Sequence, residues 1–193
     1  MTQDVITTSQ LPILHWFLNP TFVSPTYLPG TSGGCRCSFF YVERNADGTY
    51  RPGRFYDNVQ VDLHGRSTAG FPVNKKSHDV NFSQDNQFTW NSSERAVSAI
   101  NLLTNYADKS KVRNNLAYET WAGSGHLASH FSIPLRVQQN GAFWGIYDLT
   151  ENGNNDFLKR TGLDPNGALY KMYDTFSEGG KFGREKNRRT HHR

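Results

Sequence analysis

The dipeptide Asn140-Gly141 separates "FSIPLRVQQ" from "AFWGIYDLTE". Asn-Gly suits a two-residue type I′ turn, in which both central residues need positive φ. Apolar runs of strand length on either side must then pair antiparallel. The chain is therefore committed to a β-hairpin whose second strand is aromatic and apolar up to a polar exit carrying Asp148, Glu151, Asp156 and Arg160.

Other segments extend this β pattern. "LPILHWFLNP" is short, apolar and bounded by Pro12 and Pro20, which predicts a buried first strand. "CSFFYVER", the turn "NADG" and "TYRPGRFYDNVQVDLHG" read as hairpin strands. In the last of these Val59, Val61 and Leu63 share one face, while Gln60, Asp62 and His64 take the other. In "NKKSHDVNF" the same alternation groups Lys76 with His78, Val80 and Phe82, so Lys76 is a candidate for a lysine directed into a cleft. No element is assigned between Ser83 and Ala107.

A helix is predicted over "KSKVRNNLAYETWAG". Asp108 is placed to cap it, Val112, Leu116, Ala117 and Trp121 lie on one side, and Gly123 and Gly125 end it. "NDFLKRTG" reads as a short helix with a cap at Asn155 or Asp156, "DPNG" as a turn, and "ALYKMYDTF" as a further strand. Five or so mostly antiparallel strands with one main helix before the last hairpin define an α+β lobe.

A length of 193 residues fits one domain or half of a larger one, and 36% hydrophobic with 13% aromatic residues is ample for a core. The formal charge of +4 is concentrated in the tail: residues 181–193 hold six Lys or Arg against one Glu, a net +5, which leaves −1 for residues 1–180. A solvated tail is expected rather than a specific nucleic-acid surface. Cys35 and Cys37, two apart on one strand face, are read as packed or free thiols, because that spacing rarely reaches disulfide geometry. No apolar run is long enough to span a bilayer, and no secretory signal is visible.

Most catalytic signatures are absent, including a Walker loop ending in GK[ST], HExxH, GxSxG and GxGxxG. The seven histidines are scattered. A carboxylate pair for glycoside hydrolysis could be drawn from Asp148, Glu151 and Asp156, but acidic strand exits are common and the signal is unspecific.

The order of elements, a strand with a candidate inward lysine, a helix, a hairpin and a polar exit, is that of the nucleotide-binding lobe of a protein kinase. The wording is more specific. "YDNVQVDLHGRSTAGFPVNKKSHDVNF", "INLLTNYADKSKVRNNLAYETW", "VQQNGAFWGIYDLTENGNNDFLKRTG" and "GALYKM" resemble, in sequence and order, the spore coat protein H (CotH) family of atypical kinases. The resemblance runs from about Leu11 to the tail.

It implies the N-lobe of an atypical kinase fold within residues 1–180, with 181–193 as the start of a second, helical lobe that is expected to be missing. It further implies ATP-dependent Ser/Thr protein phosphorylation with Mg2+, and a protein substrate or a coat or cell-surface partner. By the same resemblance Lys75 and Lys76 contact phosphates, Lys76 being preferred on parity, and Arg66 and Ser67 form a phosphate-binding turn. Arg113 makes an ion pair inside the lobe, and Glu151, with Asp156 close behind, marks the hinge beside adenine. Position 78 is His where the family commonly has an aromatic residue. The family's later "WD"-type segment and metal-binding Asp are not found here, so no catalytic residue or metal ligand is assigned. The 193 residues alone are expected not to transfer phosphate. The alternative reading is a non-catalytic, kinase-like module used for assembly.

Overall fold

The computed structural model describes residues 9–18, 35–65, 75–125, 128–171 and 184–185. Two compact units divide the chain, Met1–Glu151 and Asn152–Arg193. The first is built from β1 (Ile13–Phe17), β2 (Cys35–Val42), β3 (Arg54–His64), β4 (Ser77–Asn81), β5 (Ala99–Leu103), α1 (Arg113–Gly123), β6 (Ser132–Gln139) and β7 (Ala142–Glu151). The second contains α2 (Asn155–Arg160) and a two-residue pairing of β8 (Tyr170–Lys171) with β9 (Arg184–Glu185).

The seven strands of the first unit close into a barrel in the order β1-β2-β3-β4-β5-β7-β6. The protein is thus mostly β, and the expected α+β lobe with a mostly antiparallel sheet is corrected to a closed mixed barrel with short helices. An odd number of staves cannot alternate direction all the way round, so one neighbouring pair must run parallel. That pair is β1 with β6, where Ile13 faces Arg136 and Trp16 faces Gln139. The predicted Asn-Gly turn helps to seal the seam. Asn140 and Gly141 have φ of 48° and 84°, and the Asn140 side chain both accepts from Leu18 N–H at 2.8 Å and donates to the Leu18 carbonyl at 3.1 Å.

Alternation sends one residue in two into the barrel: of the two predicted faces, Val59, Val61, His78, Val80 and Phe82 are buried, while Leu63 and Lys76 are half-buried. Tyr56 also points inward although it is three residues from Val59. Asn58, at φ 52°, inserts a bulge that shifts the register between Cys37 and Phe39 and lets both sides of the bulge face the core. Arg36 fastens the bulge by donating to the Asn58 carbonyl and side-chain oxygen at 3.1 and 2.7 Å. Cys35 and Cys37 are buried free thiols. Aromatic rings fill the centre, among them Trp16 edge-on to Phe39 at 5.7 Å and Phe82 stacked on Phe88 at 5.0 Å.

The α1 helix forms where predicted, but its apolar side faces outward: Val112, Leu116 and Trp121 are about half exposed. Its buried contact is polar, Asn115 Nδ2 donating to Ser132 Oγ at 3.1 Å. Val112, not Asp108, stands at the N-cap and makes no side-chain capping bond; Asp108 accepts from Arg113 N–H at 3.1 Å from the turn before the helix. In the second unit Asn154, rather than Asn155 or Asp156, caps α2 by accepting from Asp156 N–H at 2.9 Å.

Candidate functional site

The pairing registers set the two ends of the barrel apart. One end gathers the last residues of β2, β4 and β7 with the first residues of β1, β3, β5 and β6. The other gathers the start of β4 with the end of β5. The lysines lie at this second end.

There β5 stops at Leu103, opposite Asp148, while β7 extends a further six residues back to Ala142. The β7 carbonyls beyond Asp148 therefore have no β5 partner. Lys75, two residues before β4 begins, fills part of the vacancy: its ammonium donates to the Ile146 carbonyl and sits 4.3 Å above the centre of the Tyr147 ring. Its stem lies along Gly145, where a Cβ would come within 2.9 Å of Lys75 Cε. That close approach is why a glycine interrupts the aromatic run "FWGIY".

Burial lowers the Lys75 pKa to about 8. The neighbouring Lys111 ammonium pushes it the same way, and Asp148 partly opposes them. Asp148 is itself buried, and its carboxyl is raised above the ordinary range, chiefly by burial. The Asn105 amide, which donates to it, works against that rise, Asp108 adds to it, and Lys75 and Lys111 oppose it. Attraction between Lys75 and Asp148 thus loses to desolvation on both partners, and each is driven toward its neutral form.

Lys111 reaches the cluster from the segment before α1. It adopts φ 63°, and its ammonium donates to the carbonyls of Thr104, at 3.3 Å, and Asn105. Asn105, also left-handed at φ 47°, accepts from Asn114 Nδ2 at 2.9 Å. Ser77 Oγ accepts from Thr104 N–H at 3.0 Å, which joins the start of β4 to the end of β5. The result is a second ammonium, that of Lys111, close enough to disfavour the charge on Lys75, on a framework of satisfied backbone and amide groups. An arriving polyanion relieves that repulsion, so the donor set fits phosphate oxygens.

The other sequence-derived candidates are dispersed. Lys76 is half-buried and immediately precedes β4; the amine that crosses to β7 belongs to Lys75. Arg66 and Ser67 lie outside the described residues. Arg113 does form an ion pair, with Asp108 at 3.5 Å, but its side chain is 78% exposed, so the pair is at the surface and not inside the lobe.

Glu151 ends β7 at the opposite end of the barrel, roughly 16 Å of extended strand from Ile146. Its carboxylate is enclosed, 3.5 Å from His130 Nδ1, and its N–H donates to the Phe131 carbonyl at 3.3 Å. Asp156 is buried in the first turn of α2, in the second unit. Among the described residues no group of three His, Cys, Asp or Glu is arranged to hold a metal ion.

Sequence reasoning missed Lys111 and Asn105. Their one local signal is weak: a left-handed backbone is easiest for Asn, and nothing in "TNYADKSK" says that Lys111 turns back toward β7.

The site is thus a closed, mostly β barrel with two partly desolvated lysines at one end. The family model "CotH kinase protein" matches residues 61–192, and the chain belongs to that family. The matched stretch includes Lys75, Lys111 and Asp148 and leaves out β1, β2 and the first half of β3. No curated protein matches the chain.

Proposed function

We propose that this chain supplies the phosphate-gripping barrel of a CotH-type, ATP-dependent Ser/Thr protein kinase. Lys75 is the principal contact, assisted by Lys111 and Lys76. Family resemblance adds Arg66 and Ser67, which lie outside the described residues. The observation that carries the reading is the Lys75 ammonium, held on β7 with a pKa of about 8 beside a second ammonium: an amine whose charge is disfavoured until an anion arrives. ATP supplies the transferable phosphoryl group. This chain's residues bind and orient its phosphates, and the Tyr147 ring with the Ile146 carbonyl keeps the amine in place. Glu151 ties the end of β7 to the segment entering β6, and no step is assigned to a metal.

The test uses the pKa. Near pH 8 the free amine is about half protonated, whereas a phosphate-bound amine is fully so, and binding must draw about half a proton from solution. ATP titration calorimetry on the 193 residues, in two buffers of different ionisation enthalpy, measures this uptake. It is expected in the wild type and lost in Lys75→Met. Saturable binding with no uptake, or with the same uptake in Lys75→Met, removes Lys75 from the site; no saturable binding sinks the proposal.

A non-catalytic assembly role is the second reading, favoured by the outward apolar side of α1 with Val112, Leu116 and Trp121. It predicts concentration-dependent association that Trp121→Ser abolishes, read by light scattering.

A further inference from the structure

The end of the barrel remote from the lysines carries a second arrangement of charge, independent of the nucleotide reading. Cross-strand pairing sets Arg54 opposite Tyr41, so both are on the inner face where the barrel opens. Tyr41 is the floor: it is 3% exposed, and its hydroxyl donates to the Trp90 carbonyl at 3.0 Å.

One wall is a braced ion pair. Arg51 lies 3.5 Å from Glu43, donates through Nε to Asn45 Oδ1 at 2.7 Å and bonds Ser92 Oγ. The second Glu43 oxygen accepts from Ser92 N–H at 3.2 Å. With Tyr41, Glu43, Arg51 and Ser92, Thr89 bounds a cavity of about 300 Å³. Glu43 is thus occupied by Arg51 and Ser92, whereas the Arg54 guanidinium makes no hydrogen bond or ion pair with any described residue and lines the same cavity.

We propose that this mouth binds a small carboxylate, with Arg54 as the group that grips it. Two guanidiniums against one carboxylate leave the lining with a single positive charge, which one carboxylate neutralises and a dianionic phosphomonoester overshoots. A guanidinium presents two parallel N–H donors in the geometry of a carboxylate. The volume admits a group of amino-acid or small aromatic-acid size, and the Tyr41 ring is an apolar floor for its carbon skeleton. Tyr41, Glu43, Arg51 and Arg54 all precede residue 61, so most of the site lies outside the stretch matched by the family.

Two carboxylate probes distinguish the possible sources: N-acetyl-glutamate N-methylamide for an acidic peptide side chain, and benzoate for a free acid. Phosphoserine, used as N-acetyl-phosphoserine N-methylamide so that it carries no carboxylate, is the dianion control. Each is titrated into the isotopically labelled 193-residue chain, with the Arg54 side-chain N–H and the Thr89 and Ser92 amides followed by NMR. At least one carboxylate is expected to give saturable shifts at all three positions, with a Kd tighter than about 10 mM. Arg54→Gln is expected to weaken it at least about tenfold, the loss of a charge-assisted bond.

Arg54→Lys is expected to fall between the two, since it keeps the charge and loses the fork. Glu43→Gln, which adds a positive charge to the lining, is expected to shift preference toward phosphoserine. The inference is overturned by any of three results: no saturable shift with either carboxylate, affinity unchanged in Arg54→Gln with a native spectrum, or wild-type preference for phosphoserine.

Discussion

His78 lies inside the barrel, 1% exposed, edge-on to Trp16 at 5.2 Å and 6.3 Å from Tyr147. Its Nδ1 has no hydrogen-bond partner among the described residues. Burial holds its pKa down at about 3, from an ordinary 6.5. A hydrogen bond with the Asp62 backbone and the charge of Asp79 oppose the fall, and His64 adds to it. Because the folded value is depressed, the unfolded chain takes up a proton below pH 6.5 while the folded chain does not until about pH 3. Stability is therefore intact above 6.5 and lost as pH falls through that window.

Between pH 7 and pH 5 the loss from this one group is about 2 kcal/mol, and it reaches about 4 kcal/mol by pH 3. That is a large share of the roughly 5–15 kcal/mol that holds a domain together. His78→Phe removes the titration. A larger ring in a packed core shifts stability by about 1–3 kcal/mol at every pH, so the informative quantity is the slope. Urea unfolding of both proteins, followed by tryptophan fluorescence at pH 7, 6 and 5, is expected to show the stability difference moving by about 2 kcal/mol in favour of the variant as pH falls. Curves that stay parallel to within about 0.5 kcal/mol refute the reasoning, because the ring would then be protonated or solvated in the native state.

Gly145→Ala places a methyl within 2.9 Å of Lys75 Cε, so the amine is expected to leave Ile146 and its NMR-titrated pKa to climb from about 8 toward the solvated value, with weaker ATP binding. Leu149→Ala, at a wholly buried barrel position, is expected to cost about 2–5 kcal/mol by chemical denaturation. Asn154→Ala removes the cap of α2 and is expected to destabilise that helix by about 1 kcal/mol, seen as faster amide exchange over residues 156–160. Labelled ATP with Mg2+ and a serine-rich substrate is expected to show no phosphate transfer by the 193 residues alone; Lys75-dependent transfer would contradict this.

The hairpins were legible because their information is local. Asn140-Gly141 names its own turn, and the alternation in "NVQVDL" and "HDVNF" picked out Val59, Val61, His78, Val80 and Phe82 as inward residues, all of which are buried. Helix α1 was legible in extent but not in orientation. Its apolar spacing pointed to a buried side, yet the barrel it packs on offers Ser132, and Asn115 is the residue that turns inward. Parity preferred Lys76 by carrying the alternation back past Ser77, where β4 begins, whereas the amine that crosses to β7 is that of Lys75. The strand β5 went unread, and with it the vacancy on β7 that draws Lys75 across.

By itself the sequence determined most of the strands, the Asn-Gly turn, the extent of α1 and the family, since each depends on residues a few positions apart or on wording along the chain. Tertiary structure alone decided that seven staves close into a barrel, that β1 returns to β6 across more than a hundred residues, and that Lys75 and Lys111 meet while Lys75 and Glu151 do not. The reason is physical: periodicity records which face a residue presents, whereas closure, register and the early end of one strand are settled by contacts between segments that carry no mark of each other.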